Sequence, residues 1–187
     1  MTTTTYVILI RGINVGGKNK VPMAKLKLFL EELGFSNVAT YIQSGNAIVR
    51  SELGAAAVAG KIEKGLPSAF KLDDEIVKVL AVSHKQLQAV VDKRPKGFGD
   101  KPDTYHSDAI FLMGVDPAEV MPVFKPREGV DAVWPGEGVI YSQRVSALRT
   151  KSRLSKVVSS PLYKSMTIRS WSTTTKLLDL LQEHADK

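Results

Sequence analysis

Apolar residues along this chain alternate between two spacings. Tyr6-Val-Ile-Leu-Ile10 is a continuous β-rich run closed by Arg11-Gly12, which predicts a buried strand. Gly12 to Lys20 reads as a loop. After Pro22, residues Met23, Leu26, Phe29, Leu30 and Leu33 recur at helical spacing, and Gly34 supplies a helix stop. Two short β-type runs follow, Val38 to Ile42 and Ala47 to Arg50. The turn chemistry of Gln43-Ser-Gly-Asn46 between them predicts a hairpin. Glu52 to Leu66 carries Val58, Ile62 and Leu66 on one helical stripe and is expected to stop at Pro67. Ile76 to Val82 reads as a strand, and Ser83 with Gln86 as a capping box opening a short helix.

The same order then recurs. Ala109 to Met113 predicts a strand and Asp116-Pro-Ala-Glu119 a helix start. Val130 to Trp134 and Val139 to Ser142 flank the turn Pro135-Gly-Glu-Gly138, a second hairpin. Lys151 to Ser160 reads as a helix, Met166 to Arg169 as a strand, and Thr173 to His184 as a Leu-rich terminal helix. The expected fold class is therefore α+β: two ferredoxin-like βαββαβ halves, an internal duplication of mainly antiparallel sheets with helices packed on them. Residues 1–92 form the first half with an extra helix and 106–187 the second half with a C-terminal helix. The breaker-rich segment 93–105 (Pro95, Gly97, Gly99, Pro102) links them.

This topology carries a spatial expectation. A helix returns the chain between strands one and two, so the hairpin after strand two lies at the same sheet end as the loop after strand one. Arg11 to Lys20 and Gln43 to Asn46 then become neighbours. The end of the Met166 strand and the segment before Lys151 are likewise expected to share one end of the second half.

Composition narrows the chemistry. The chain has 187 residues, 43% hydrophobic and 24% charged, and no cysteine, so disulfides, thiolate metal sites and cysteine nucleophiles are excluded. No apolar run approaches the ~20 residues of a membrane span, and the N-terminus lacks a basic leader region. A cytoplasmic protein with no membrane partner is expected. The net charge is +7, and two stretches carry no carboxylate. Met1 to Leu30 holds Arg11, Lys18, Lys20, Lys25 and Lys27. Gly138 to Leu178 holds Arg144, Arg149, Lys151, Arg153, Lys156, Lys164, Arg169 and Lys176. Uncompensated cations attract phosphates and other anions.

Two motifs stand inside those stretches. In Arg11-Gly-Ile-Asn-Val-Gly-Gly-Lys-Asn-Lys20, residues Gly12, Gly17 and Lys18 match the G-x-x-x-x-G-K spacing of a phosphate-binding loop between a strand and a helix. Asn19 stands where a magnesium-holding Ser or Thr belongs, and the hairpin that follows argues for an antiparallel sheet, so a nucleotide-hydrolysing loop is disfavoured. What survives is a Gly-rich basic loop offering backbone N–H groups to an anion. Candidate ligand-binding residues are Arg11, Asn14, Gly16, Gly17, Lys18 and Lys20, joined by Gln43, Ser44 and Asn46 from the hairpin. The hairpin's bland alternative is a turn bonded to itself. The second motif pairs Arg169 with Trp171, which can bind a phosphate or stack a base; otherwise Trp171 is core and Arg169 its rim. Ser170 or Ser172 is a candidate helix cap. His84, His106 and His184 have no metal-ligand spacing and read as surface or boundary residues. Glu31-Glu32 and Asp73-Asp74 read as solvated acids.

The run Leu9-Ile-Arg-Gly-Ile-Asn-Val-Gly-Gly-Lys-Asn-Lys-Val-Pro-Met23, with Glu32-Leu-Gly-Phe35, Thr40-Tyr-Ile-Gln-Ser-Gly-Asn46 and Thr167-Ile-Arg169 through Lys176-Leu177, resembles a bacterial family catalogued as domain of unknown function 1697. The resemblance implies a duplicated ferredoxin-like α+β arrangement and no established activity. The family pattern Arg-Asn-Trp-Asn-Thr is here Arg169-Ser-Trp-Ser-Thr173, so two carboxamides have become hydroxyls. The expected function is binding of a small phosphate-bearing or other anionic ligand at the Gly-rich loop, with no cofactor and no metal. The alternatives are a nucleic-acid-binding module using the basic C-terminal patch, or a small enzyme of unspecified reaction.

Overall fold

The apolar run Tyr6–Ile10 lies inside strand β1 (Thr4–Ile10), whose last six residues are buried on both faces. A strand buried on both faces suits the centre of a sheet, and β1 takes that place. The structure, a computed structural model, describes residues 2–187. Helix α1 (Met23–Glu32) follows, then β2 (Ser36–Tyr41), β3 (Asn46–Ser51), α2 (Ala55–Ala69), β4 (Val79–Ser83) and α3 (His84–Asp92). Strand order in this first sheet is β2-β3-β1-β4, and every pairing is antiparallel. Helices α1 and α2 cover one face. Leu26, Phe29 and Leu30 from α1 and Val58, Ile62 and Leu66 from α2 pack in one cluster with Tyr6, Ile8, Ile10 and Val49. Burying an aliphatic side chain of this size stabilises by roughly 1.5–3 kcal/mol.

The second series runs β5 (Tyr105–Leu112), α4 (Pro117–Val120), β6 (Asp131–Pro135), β7 (Val139–Val145), β8 (Met166–Ser170) and α5 (Trp171–Ala185). Its sheet has order β6-β7-β5-β8, again antiparallel throughout. Each strand sits where its counterpart sits in the first sheet, so the strand and helix pattern fits a duplicated βαββαβ. The chain divides into two compact units, one from the N-terminus to Leu87 together with Leu177–Lys187, the other Gln88–Lys176. Residues 93–105 lie in the second unit and carry Phe98, which is buried against the rings of Trp134, Tyr141 and Trp171 at centroid distances of 5.9, 5.3 and 5.0 Å.

Three of the departures from the sequence expectation have a visible local cause. Lys151 to Ser160 is not an α-helix but part of a series of 3-10 turns, Ser146–Lys151, Leu154–Ser159 and Pro161–Ser165. Serines divert the backbone there: Ser152 Oγ accepts from the Leu154 N–H, Ser160 Oγ accepts from the Leu162 N–H, and Ser159 Oγ donates to the Lys156 carbonyl. Such local bonds compete with helix propagation. Helix α2 continues past Pro67 to Ala69, because a proline in the last turn removes a single N–H while Phe70 still bonds the Leu66 carbonyl at 2.9 Å. The fourth strand begins at Val79 rather than Ile76: the ladder with β1 ends at the Ile10–Val79 pair, beyond which Gly12 (φ +73°) turns the chain away.

Candidate functional site

Three loops meet at the end of the first sheet where β1 stops. The Ile10 N–H donates to the Gly45 carbonyl of the β2–β3 hairpin, and the Arg11 N–H donates to the Lys78 carbonyl ahead of β4, both at 2.9 Å. Loop 11–22, hairpin 42–45 and segment 71–78 are thereby stitched together, and the expected meeting of the Gly-rich loop with the hairpin is observed. Gly45 is required by space as well as by its φ of +77°. A Cβ there would lie 2.7 Å from the Ile10 carbonyl oxygen and 2.8 Å from Ile13 Cγ1. Ile42, at the hairpin's other side, is a β-branched residue held at φ +45° and exposed. That conformation is costly for its side chain, and such strain concentrates at functional loops.

The Gly-rich loop folds back on itself. The Lys18 N–H donates to the Val15 carbonyl at 3.0 Å, with Gly16 (φ +60°) and Gly17 (φ +75°) between them. Two successive positive φ values define a type I′ turn, which glycine adopts without strain. Asn14 clamps the loop: its Nδ2 donates to the Val21 and Gln43 carbonyls at 2.9 and 3.0 Å, and its Oδ1 accepts from the Val21 N–H at 2.8 Å. Asn14 is thus a positioning residue whose carboxamide is already engaged. Asn46 is fully buried and donates to the Tyr41 carbonyl at 3.3 Å, so here the self-bonded turn holds.

Asn19, at the position where a phosphate-binding loop carries its magnesium-holding Ser or Thr, has a structural role instead. It is 1% exposed and forms the hub of segment 71–78. Nδ2 donates to the Gly12 carbonyl at 3.1 Å and to Asp74 Oδ2 at 2.6 Å, while Oδ1 accepts from the Asp73 and Asp74 N–H groups at 2.8 and 3.1 Å. Its own N–H donates to Asp73 Oδ2 at 2.6 Å. No atom of Asn19 is left to hold a metal. Asp73 and Asp74, read from sequence as solvated acids, are anchors of the loop. Sequence carried no signal for this, because the partners stand more than fifty residues apart and short range patterning is silent at that distance.

Between loop and hairpin lies an open groove of about 420 Å³ lined by Asn14, Gly17, Lys20, Val21, Pro22 and Gln43. Lys18, Lys20, Gln43 and Ser44 are exposed, and Arg11 is half-buried. The N–H groups of Gly16 and Gly17 have no protein acceptor among the described residues. Asp73 and Asp74 are not part of the groove lining.

The second candidate pair is placed differently. Arg169 is 7% exposed and lies on β8, with its guanidinium donating to Thr167 Oγ1 and to the Ile168 carbonyl, both at 2.9 Å. Burial pulls its pKa down to about 10, so it stays protonated at neutral pH while turned away from solvent. The Arg169 guanidinium is thus held within the sheet by its neighbours rather than displayed on the surface. Trp171 is half-buried and packs edge-to-face on Phe98. Ser170 caps α5: its Oγ accepts from the Thr173 N–H at 3.3 Å and donates to Thr173 Oγ1 at 2.9 Å. A hydroxyl accepting from a first-turn N–H is an ordinary helix cap. His106 pairs with Asp108 at 3.0 Å. Among the described residues no group of three or more His, Asp or Glu side chains is arranged for a metal ion, and no helix is long and apolar enough to cross a membrane.

The family described as protein of unknown function (DUF1697) matches residues 3–141. Among solved structures, the chain is similar to the conserved bacterial protein SP0830 from Streptococcus pneumoniae, with a TM-score of 0.77 and 26% identity, covering 96% of this chain and 99% of that one. No curated protein matches.

Proposed function

The chain belongs to the family described as protein of unknown function (DUF1697), and from that premise we propose that it binds a small phosphate-bearing anion in the groove between the Gly-rich loop and the β2–β3 hairpin. The observation that carries this reading is the pairing of Lys20 and the Gly17 backbone in one groove with the Gln43 carboxamide and no carboxylate in the lining. Backbone N–H groups in a positive-φ turn converge on an anion, and an ammonium adds charge that water screens only partly in a groove. Asn14 and Asn19 hold the turn in place before any ligand arrives, so little ordering cost remains to be met on binding. The fully engaged Asn19 leaves no room for a magnesium-dependent hydrolytic step in this reading.

Calorimetric titration of pyrophosphate, sugar phosphates and mononucleotides tests it. Binding is expected, and Lys20→Ala should weaken it about 10-fold or more, since a charge-assisted hydrogen bond contributes roughly 1.5–3 kcal/mol. Anion binding unchanged in Lys20→Ala and in Lys18→Ala removes the proposal. The nucleic-acid reading keeps support from Arg149, Lys151, Arg153, Lys156 and Lys164, all exposed along the consecutive 3-10 turns. It calls instead for oligonucleotide binding whose log–log salt slope flattens by about 0.7–0.9 per cation removed.

A further inference from the structure

A second cavity, of about 550 Å³, opens inside the second unit where β5 starts and β8 ends. Its lining has a composition unlike the groove. Tyr105, Trp171 and Pro102 supply flat apolar walls, and no lysine, arginine, aspartate or glutamate lines it. The polar groups are the imidazole of His106 and the hydroxyls of Ser172 and Thr175, with those of Ser107 and Ser170 beside them.

The aromatic wall is held rigidly. Phe98 meets Trp171 edge-on at 5.0 Å and 80°, and Tyr141 meets it at 6.2 Å and 63°. The Gly99 backbone, at φ +78°, lies so close that a Cβ there would collide with Trp171 Cδ1 and Nε1. The indole Nε1–H has no protein acceptor among the described residues. A fixed ring with an unspent donor is a recognition surface prepared in advance.

The polar side is tuned as well. His106 Nε2 lies 3.0 Å from Asp108 Oδ2, and a carboxylate accepts, so Nε2 carries the proton. In the neutral ring Nδ1 is then an acceptor. Ser107 Oγ accepts from Gln143 Nε2 at 3.1 Å, which leaves its own proton to donate. The cavity thus combines aromatic walls, the His106 imidazole and the free hydroxyl proton of Ser107, while the Ser170 and Thr175 protons are spent on Thr173 Oγ1 and on the Trp171 and Ser172 carbonyls.

We infer that this cavity binds an uncharged, planar heteroaromatic ring with a hydrogen-bonding edge, of the nucleobase class. The volume falls within the range of small-ligand pockets, roughly 300–1,000 Å³ and mostly apolar with a few placed polar groups. Stacking on an aromatic side chain is tolerant of ring identity, and the edge contacts set preference. An acceptor at His106 favours rings that present an amine or ring N–H. The absence of cationic lining residues separates this site from the anion groove: its ligand is a base or nucleoside, not a phosphate. The inference stands independently of the groove reading.

The test follows the Trp171 indole ¹H–¹⁵N resonance, distinguished from that of Trp134 by a Trp134→Phe variant, while adenosine, guanosine, cytidine and uridine are added. A saturable shift is expected with at least one nucleoside. His106→Ala and Ser172→Ala, both at exposed positions, should each weaken it about fivefold, the size of one neutral hydrogen bond, with Ser172→Ala leaving the melting temperature unchanged. Pyrophosphate and ribose 5-phosphate should leave this resonance in place. The inference is overturned if no nucleoside moves the Trp171 signal into the millimolar range, if the shift is indifferent to both variants, or if a base-free phosphate reproduces it.

Discussion

Replacing Asn19 with alanine probes the hub on which the loop cluster depends. The variant deletes four side-chain hydrogen bonds: to the Gly12 carbonyl, to Asp74 Oδ2, and from the Asp73 and Asp74 N–H groups. Three are neutral-partner bonds at about 1 kcal/mol each and one meets a carboxylate at about 1.5–3 kcal/mol, a gross loss near 4.5–6 kcal/mol. Asp73 and Asp74 are exposed, so water replaces part of what is lost and roughly halves the figure. The backbone adds to it, because Asn19 sits at φ +48°, where alanine costs about 1–2 kcal/mol. The expected net destabilisation is about 3–5 kcal/mol. For a chain of this length that lowers the melting temperature by roughly 6–20 °C. Amide exchange should accelerate first in segment 71–78. Asn19→Asp keeps the shape but sets a second carboxylate against Asp74, and the swap Asn19→Asp with Asp74→Asn restores a donor facing an acceptor. The double variant should therefore be more stable than Asn19→Asp alone, though below the parent because the bond to the Gly12 carbonyl stays broken. A melting temperature for Asn19→Ala within about 1 °C of the parent would refute the hub, since that corresponds to well under 1 kcal/mol.

Tyr141→Phe leaves the Val90 carbonyl without the phenol that donates to it at 2.6 Å in a buried setting, and should cost about 1–3 kcal/mol by urea denaturation. The same phenol, pushed up to about 12 chiefly by burial, should show no ultraviolet ionisation step below that pH in the folded protein. Asp131 Oδ2 accepts from the Arg127 and Arg153 N–H groups at 2.9 Å each. Burial raises its pKa, but the bonds from Arg153, Ser152 and Arg127 outweigh it and hold the carboxyl below the ordinary 3.8. A depressed folded value means stabilisation that is present above pH 3.8 and is lost as the pH falls through the folded value. Asp131→Asn should flatten the acid limb of the stability profile and leave its slope near neutrality unchanged.

Sequence patterning was most informative where one local rule acted alone. Tyr6–Ile10 and both hairpins were legible because buried strands bounded by Gly and Asn turns leave a short range signature. The meeting of loop and hairpin followed from topology, without a residue contact in view. The 3-10 turns were missed because apolar spacing at Leu154 and Val157 resembles a helix, while the decisive bonds are made by serine hydroxyls whose partners a periodicity cannot show. Arg169 exposes another limit. Ile168 is 37% exposed and Arg169 only 7%, the reverse of what their polarity alone suggests. Thr167 and a backbone carbonyl make the buried guanidinium tolerable, and such satisfaction is invisible until the strand has neighbours. That Gly17, Lys20 and Gln43 line one groove was legible from topology, whereas the structural role of Asn14 required distances.

The central position of β1 has a kinetic corollary. Its two ladder partners are β3 and β4, so the strand next in sequence, β2, reaches it only through β3. The β2–β3 hairpin closes over a few residues and forms quickly, but the clamp on Asn19 waits until β4 has docked and brought segment 71–78 with it. Closing that long loop is the slower event, because its entropy is spent before any contact rewards it. During synthesis the Asn14 clamp on Gln43 can therefore form with the hairpin, whereas the Asn19 contacts with Asp73 and Asp74 can form only after α2 has been made.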